Sequence, residues 1–247
     1  MIPLIRGWTD RQRSVQANAR LGMTLAFVAG AANAGGFLAV GQYTSHMTGV
    51  VSSVADSLVL GNLGLALAGL AALGAFMSGA MCTAVVVNWG LRRDLHSAYG
   101  LPLLIEALLL LVFGLFGGAI SLAAHLVVPA TVLLLCFIMG LQNAVITKIS
   151  RAEIRTTHIT GLVTDMGIEL GKLIYINQRT SPLPVRANRE KLRLQGLLIA
   201  AFFGGGLLGA IGFKFVGYIT TVPLALMLLL LVARPLWTDG RRCLHPH

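Results

Sequence analysis

The sequence predicts an all-α polytopic helical membrane protein, with six transmembrane helices plus two re-entrant half-helices arranged as two inverted-topology repeats. Three observations carry that expectation. Of the 247 residues, 56% are hydrophobic and 11% charged, too apolar a balance for a soluble domain of this length. A polar motif occurs twice, as Thr44-Ser45-His46-Met47-Thr48-Gly49 and as Thr156-Thr157-His158-Ile159-Thr160-Gly161. Most Lys and Arg residues lie at the edges of apolar runs, where juxtamembrane anchors belong.

Six runs are long enough to cross a bilayer, which takes about 20 residues. They fall near 21–41, 64–90, 100–126, 129–148, 194–216 and 217–234. Breaks stand at Gly61-Asn62-Leu63-Gly64, at Arg92-Arg93-Asp94, at Pro129, and in a polar loop over 177–193 with Pro182 and Pro184. Two shorter stretches, near 48–60 and 160–176, follow the two motifs and carry Ser52, Ser53, Asp56, Thr164, Asp165 and Glu169. A stretch of ~13 residues at ~1.5 Å per residue makes ~20 Å of helix, enough for half a crossing.

Basic residues decide the topology. If both short stretches cross fully and the N-terminus is inside, Arg92, Arg93, Lys148, Arg151, Arg155 and Lys214 all face outside. If both are re-entrant, 18 of the 19 Lys and Arg fall inside and only Lys214 stays outside. The positive-inside rule selects the second arrangement. Each half is then a span, a motif with its short helix, and two more spans. Three crossings per half is an odd number, so the second half is inverted. The halves run from about 21 to 126 and from about 129 to 234. A basic N-terminal segment over 1–20 and the basic loop over 177–193 are cytoplasmic, as are both termini. That first segment has no apolar core or small-residue cleavage site, and it does not read as a signal peptide.

The same repeat organises the chemistry. Gly30/Asn33/Ala34 recurs as Gly140/Asn143/Ala144, 110 residues on, and His46 as His158, 112 residues on. A helix starting near Thr48 or Thr160 leaves its first N–H groups unpaired, and within hydrocarbon they need protein, water or ligand partners. Hydroxyls of Thr44, Thr48, Thr156, Thr157 and Thr160 can cap the helix or line a polar path. Gly49 and Gly161 allow close approach. A positive helix end favours an anion or a polar group. His46 and His158 can donate, accept or carry charge near neutral pH. The blander readings are a capped helix start for the Thr and Gly positions, buried histidines bonded to carbonyls, and interhelical bonding for Asn33 and Asn143.

Ionisable residues at membrane depth are costly, which marks Asp56, Glu106, Asp165 and Glu169 as candidates for coupling or gating. They do not superpose in the repeat: Asp56 aligns with Ile168, and Asp165 with Ser53. Arg155 precedes the second motif, as a guard of the cytoplasmic mouth or as an interfacial anchor. Three cysteines define no disulfide framework; Cys82 and Cys136 fall in apolar segments. No P-loop and no metal-ligand spacing are present, so the sequence implies no cofactor and no metal. The net charge of +10 reads as topology rather than nucleic-acid binding. Small-residue faces at Ala75/Gly79, Gly114/Gly117/Gly118 and Gly205/Gly209 suit close helix contact within one subunit or across a homodimer.

The run from Gly30 through Asn33, Ala34, Gly35, Gly36, Phe37, Leu38 and Ala39, followed by Thr-Ser-His-Met-Thr-Gly, resembles the YoaK-like bacterial inner-membrane proteins. So does Met139-Gly140-Leu141-Gln142-Asn143-Ala144 with its own Thr-Gly motif. The resemblance implies about six spans and a domain of unknown function. It also implies Asp at position 33 and Asn at position 50 in relatives, where this chain has Asn33 and Val50.

The reading that follows is a transporter or channel for a small solute, an anion or small polar metabolite. Its site would lie at the midplane between two half-helix N-termini. The alternatives are an intramembrane enzyme using His46 or His158 as acid–base group, and a non-transporting structural or assembly subunit. The expected partners are the lipid bilayer and a small solute or ion, with no nucleic acid.

Overall fold

The computed structural model describes residues 14–119, 124–150, 154, 156–177 and 184–244. Among these the protein is helical: α1 (Val15–Val40), α2 (Met47–Val59), α3 (Leu63–Arg92), α4 (Gly100–Ala119), α5 (Ala124–Ser150), α6 (Ile159–Ile174), α7 (Arg189–Phe215) and α8 (Thr221–Leu244). A single 3₁₀ turn, Gly217–Thr220, joins the last two. Five helices, α1, α3, α5, α7 and α8, are long and apolar enough to cross a membrane. Helix α4 has 20 residues, ~30 Å at ~1.5 Å each, about one hydrocarbon thickness. The fold is that of a multi-pass membrane protein with apolar helices against the bilayer.

Local chemistry sets the boundaries, and in three places it moves them from the sequence expectation. Helix α1 begins at residue 15 because Ser14 caps it, accepting the Ala17 N–H at 3.1 Å; Gly41, with φ of 72°, ends it. Helix α7 begins at 189 rather than 194, since Asn188 accepts the Lys191 N–H at 2.9 Å. Arg189, Lys191 and Arg193 are therefore helical and not loop. Pro129, expected to mark a break, lies inside α5. It sits in the second turn, where its missing N–H removes one bond near the helix end.

Packing is built on glycine. Gly30 lies against the Phe202 carbonyl and Gly205 against the Phe27 carbonyl, bringing α1 and α7 into backbone contact. A second helix pair repeats this: Gly140 meets the Phe76 carbonyl and Gly79 the Phe137 carbonyl, joining α5 to α3. Thr83 Oγ1 adds a bond to the Leu141 carbonyl at 2.9 Å. The small-residue faces thus serve within one chain: Gly205 and Gly209 on α1, Gly79 on α5, and Gly114 on Thr221.

These contacts also fix direction. Gly22 with Leu198, Gly30 with Phe202 and Ala31 with Gly209 advance together, so α1 and α7 are parallel. Likewise α3 and α5 are parallel. Gly36 sits against Leu135, while Leu25 accepts from Gln142 at 3.2 Å, which makes α1 and α5 antiparallel. It follows that α3 starts on the face where α1 ends, and α7 starts on the face where α5 ends. Helices α2 and α6 must each return to the face they left. Both are half-helices, with 13 and 16 residues. Half of the apolar windows of α1 (50%) and α5 (56%) is buried, against 22% for α3 and for α7, so the antiparallel α1–α5 pair is the centre. Helix α4 pairs antiparallel with α8, through Gly100 on Val232 and Gly114 on Thr221. Asp239, near the end of α8, accepts from the His96 and Ser97 N–H groups at 2.9 and 2.8 Å and from the Ser97 hydroxyl at 2.6 Å, tying α8 to the α3–α4 turn.

Gly30→Ala and Gly205→Ala each place a methyl group against a neighbouring carbonyl and should cost about 1–3 kcal/mol. Gly74→Ala and Gly204→Ala meet nothing within 4 Å and should leave the melting temperature unchanged. Thermal unfolding in detergent compares the two pairs.

Candidate functional site

The two motif loops share one hydrogen bond. Ser45 donates its hydroxyl to Asn33 Oδ1 at 3.0 Å, and Thr157 donates its hydroxyl to Asn143 Oδ1 at 2.8 Å. Each loop is thereby pinned to the central helix of its own half. Asn143 also donates to the Met139 carbonyl at 2.8 Å, which fixes its rotamer. Thr44 and Thr156 lie beneath the loops, 2% and 0% exposed, and neither hydroxyl has a partner among the described residues. A Cβ on Gly36 would stand 3.6 Å from the Thr44 hydroxyl, so that side chain faces α1 rather than the open surface.

His46 and His158 occupy the N-cap positions of α2 and α6 without capping through their side chains. Each ring instead folds over the first turn of its helix. A Cβ on Gly49 would collide with the His46 ring, and one on Gly161 with the His158 ring. The glycines make room for the chain's own imidazoles. Both histidines are exposed, so the buried, carbonyl-bonded reading of them does not hold.

A stripe of hydroxyls runs along each half-helix. Thr48, Ser52 and Asp56, four residues apart, share one side of α2 and are all exposed; Val54 and Ser57 are buried on the side packed against α3. On α6 the stripe is Thr160 and Thr164, both exposed, and Ile168 stands where Asp56 would be. Thr164 donates back to the Thr160 carbonyl at 2.9 Å. The loops and stripes superpose between the halves, while the acid at the end of the stripe belongs to α2 alone. Helices α2 and α6 pack on α3 and α7 and not on each other.

The acidic candidates separate by environment. Asp165 bonds Lys191 Nζ at 3.0 Å and accepts from Gln195 at 3.1 Å, both on α7. Glu169 accepts from Lys172 Nζ at 2.8 Å and from the Asn188 N–H at 2.7 Å. These two carboxylates clasp α6 to α7. The Lys172 bond and then the Asn188 N–H hold the Glu169 carboxyl below the usual carboxylate range, against a smaller upward push from burial. Asp56 stays on the open stripe. Glu106 is fully buried in α4, and by strict hydrogen-bond geometry neither of its oxygens meets a donor among the described residues. Arg155 lies outside the described residues.

A family model described as "Protein of unknown function (DUF1275)" matches residues 21–233. The chain belongs to that family. No curated protein and no solved structure matches it.

Reasoning from sequence placed Asn33, Thr44, His46, Thr48, Gly49, Asn143, Thr156, His158, Thr160 and Gly161 at one kind of site. The structure divides them. Asn33 and Asn143 anchor the loops, Thr44 and Thr156 are buried below them, and the histidines and Thr48 and Thr160 form the exposed face. Ser52 and Thr164 join that face and were missed as site residues. Their 112-residue offset, the same as that of the histidines, was the available signal.

Because the folded carboxyl of Glu169 lies below its ordinary value of about 4.3, the clasp contributes above that value and is lost as pH falls through the lower folded value. A spin label at position 175 should gain mobility as the pH falls below the ordinary carboxylate range. With Glu169→Gln the label should be mobile at neutral pH as well.

Proposed function

We propose that this membrane protein conducts or transports a small solute, an anion or small polar metabolite, along the polar faces of its two half-helices. The observation that supports this reading most is the pair of exposed hydroxyl stripes, Thr48–Ser52–Asp56 and Thr160–Thr164, on helices of half-crossing length. Polar side chains at that depth belong against water, protein or solute rather than lipid. Inverted repeats with broken elements suit such a path, with a two-fold backbone frame and ligand-facing helix starts. The frame comprises repeats at about 21–126 and 129–234. Asp56 is the coupling or gating residue of the first half. The Asp165 and Glu169 clasp holds the second half-helix in place, and Arg155 guards its mouth.

The proposed setting is the bacterial inner membrane with both termini cytoplasmic. The face where α1 begins carries Arg92, Arg93, Lys172, Arg186 and Arg189, as cytoplasmic loops do. A homodimer would form on surfaces other than Gly79, Gly114, Gly205 and Gly209, which pack within the chain. For an enzyme, Ser45 would need His46 as its base, whereas its hydroxyl donates to Asn33.

Proteoliposomes assayed with a panel of inorganic anions, small carboxylates and neutral polar solutes test the proposal. Flux above empty vesicles is expected for at least one class. Thr48→Val with Ser52→Ala, or Thr160→Val with Thr164→Val, should lower it at least about tenfold, ~1.4 kcal/mol, at unchanged melting temperature. Absence of flux for every class from a folded protein would count against transport.

A further inference from the structure

Glu106 is 0% exposed in the helix packing of α4. Its polar neighbour is the Gln142 side chain on α5, and Gln142 Nε2 is already bonded to the Leu25 carbonyl of α1 at 3.2 Å. By strict hydrogen-bond geometry three buried oxygens at this spot, Glu106 Oε1, Glu106 Oε2 and Gln142 Oε1, meet no donor among the described residues, the Gln142 side chain being the polar group that approaches the carboxyl. No charged side chain acts on Glu106 from α3, α5 or α8 among the described residues. A bare carboxylate would thus be an unpaired buried charge, and the Gln142 oxygen an unpaired acceptor. One proton resolves both, because a carboxylic acid can donate to Gln142 Oε1 while satisfying its own charge.

The second half of the protein carries no acid at the corresponding register. Pro102 and Pro223 are each the third residue of their helices, α4 and α8, and in that register Glu106 is matched by Met227. Met227 is partly exposed there, whereas Glu106 is fully buried.

We propose that Glu106 and Gln142 form a buried proton-binding site, in which Glu106 carries a proton while α4 and α5 are packed. Release of that proton requires water to reach the α4–α5 interface, so proton exchange reports opening of the helix core. The inference holds whether or not a solute is moved. If transport is established, the same site supplies a proton that can be coupled to it.

Infrared spectroscopy of the purified protein at neutral pH tests this directly. The wild type should show a carboxylic-acid carbonyl band that is absent from Glu106→Gln and from Glu106→Met, the latter copying the residue of the other half. Gln142→Met should keep the band and shift it. Denaturation in weakly buffered solution at neutral pH should release about one proton more per chain from the wild type than from either Glu106 variant. A wild type without the band, or a band that survives in both Glu106 variants, would overturn the proposal. A flux assay that fails while the band behaves as expected would remove the transport reading and leave the proton site standing.

Discussion

Four glycines allow two pairs of helices to touch at the backbone, and the rest of the architecture depends on that contact. With Gly30 and Gly205 between α1 and α7, and Gly79 and Gly140 between α3 and α5, each helix of one half is packed against a helix of the other. Those two contacts make α3 run with α5 and α7 with α1, and because α1 and α5 pack antiparallel, where full crossings by α2 and α6 would make them parallel, the segments between the helices must turn back. The half-helices are the geometric consequence. They are short because they lead back to the face they came from.

A two-fold frame built in this way leaves its chemistry free to differ between halves. The bonds Ser45–Asn33 and Thr157–Asn143, the imidazoles over Gly49 and Gly161, and the hydroxyl stripes are all duplicated. Charge is not. Asp56 ends one stripe and Ile168 the other; Asp165 and Glu169 clasp only α6; Glu106 faces α5 where Met227 stands in the second half. A device that treats its two membrane faces differently needs such asymmetry, and these side chains supply the charged part of it.

The half-helices were legible in the sequence because a repeated motif marked their starts, and the basic residues showed that they turn back. The start of α7 was not, since Arg189, Lys191 and Arg193 resemble a solvated loop and the decisive cap is the single side chain of Asn188. The glycine faces could be recognised, but not whether they join helices of one chain or of two. Asn33 and Asn143 were read as candidates for the site or for interhelical bonds. Their actual partners, Ser45 and Thr157, are loop hydroxyls within the motif itself. The Glu106–Gln142 pair was hidden, because the two residues are on different helices and nothing in local spacing connects them.

The central claim is that α2 returns to the face it leaves. Single cysteines at Gln42 and Asn62, before and after α2, can be probed with a membrane-impermeant thiol reagent in sealed right-side-out and inverted vesicles of a cysteine-free variant. Both should label from the same face, and cysteines at Arg93 and Arg186 should label from the opposite one. Labelling of positions 42 and 62 from opposite faces would show that α2 crosses fully and would contradict the inverted repeat.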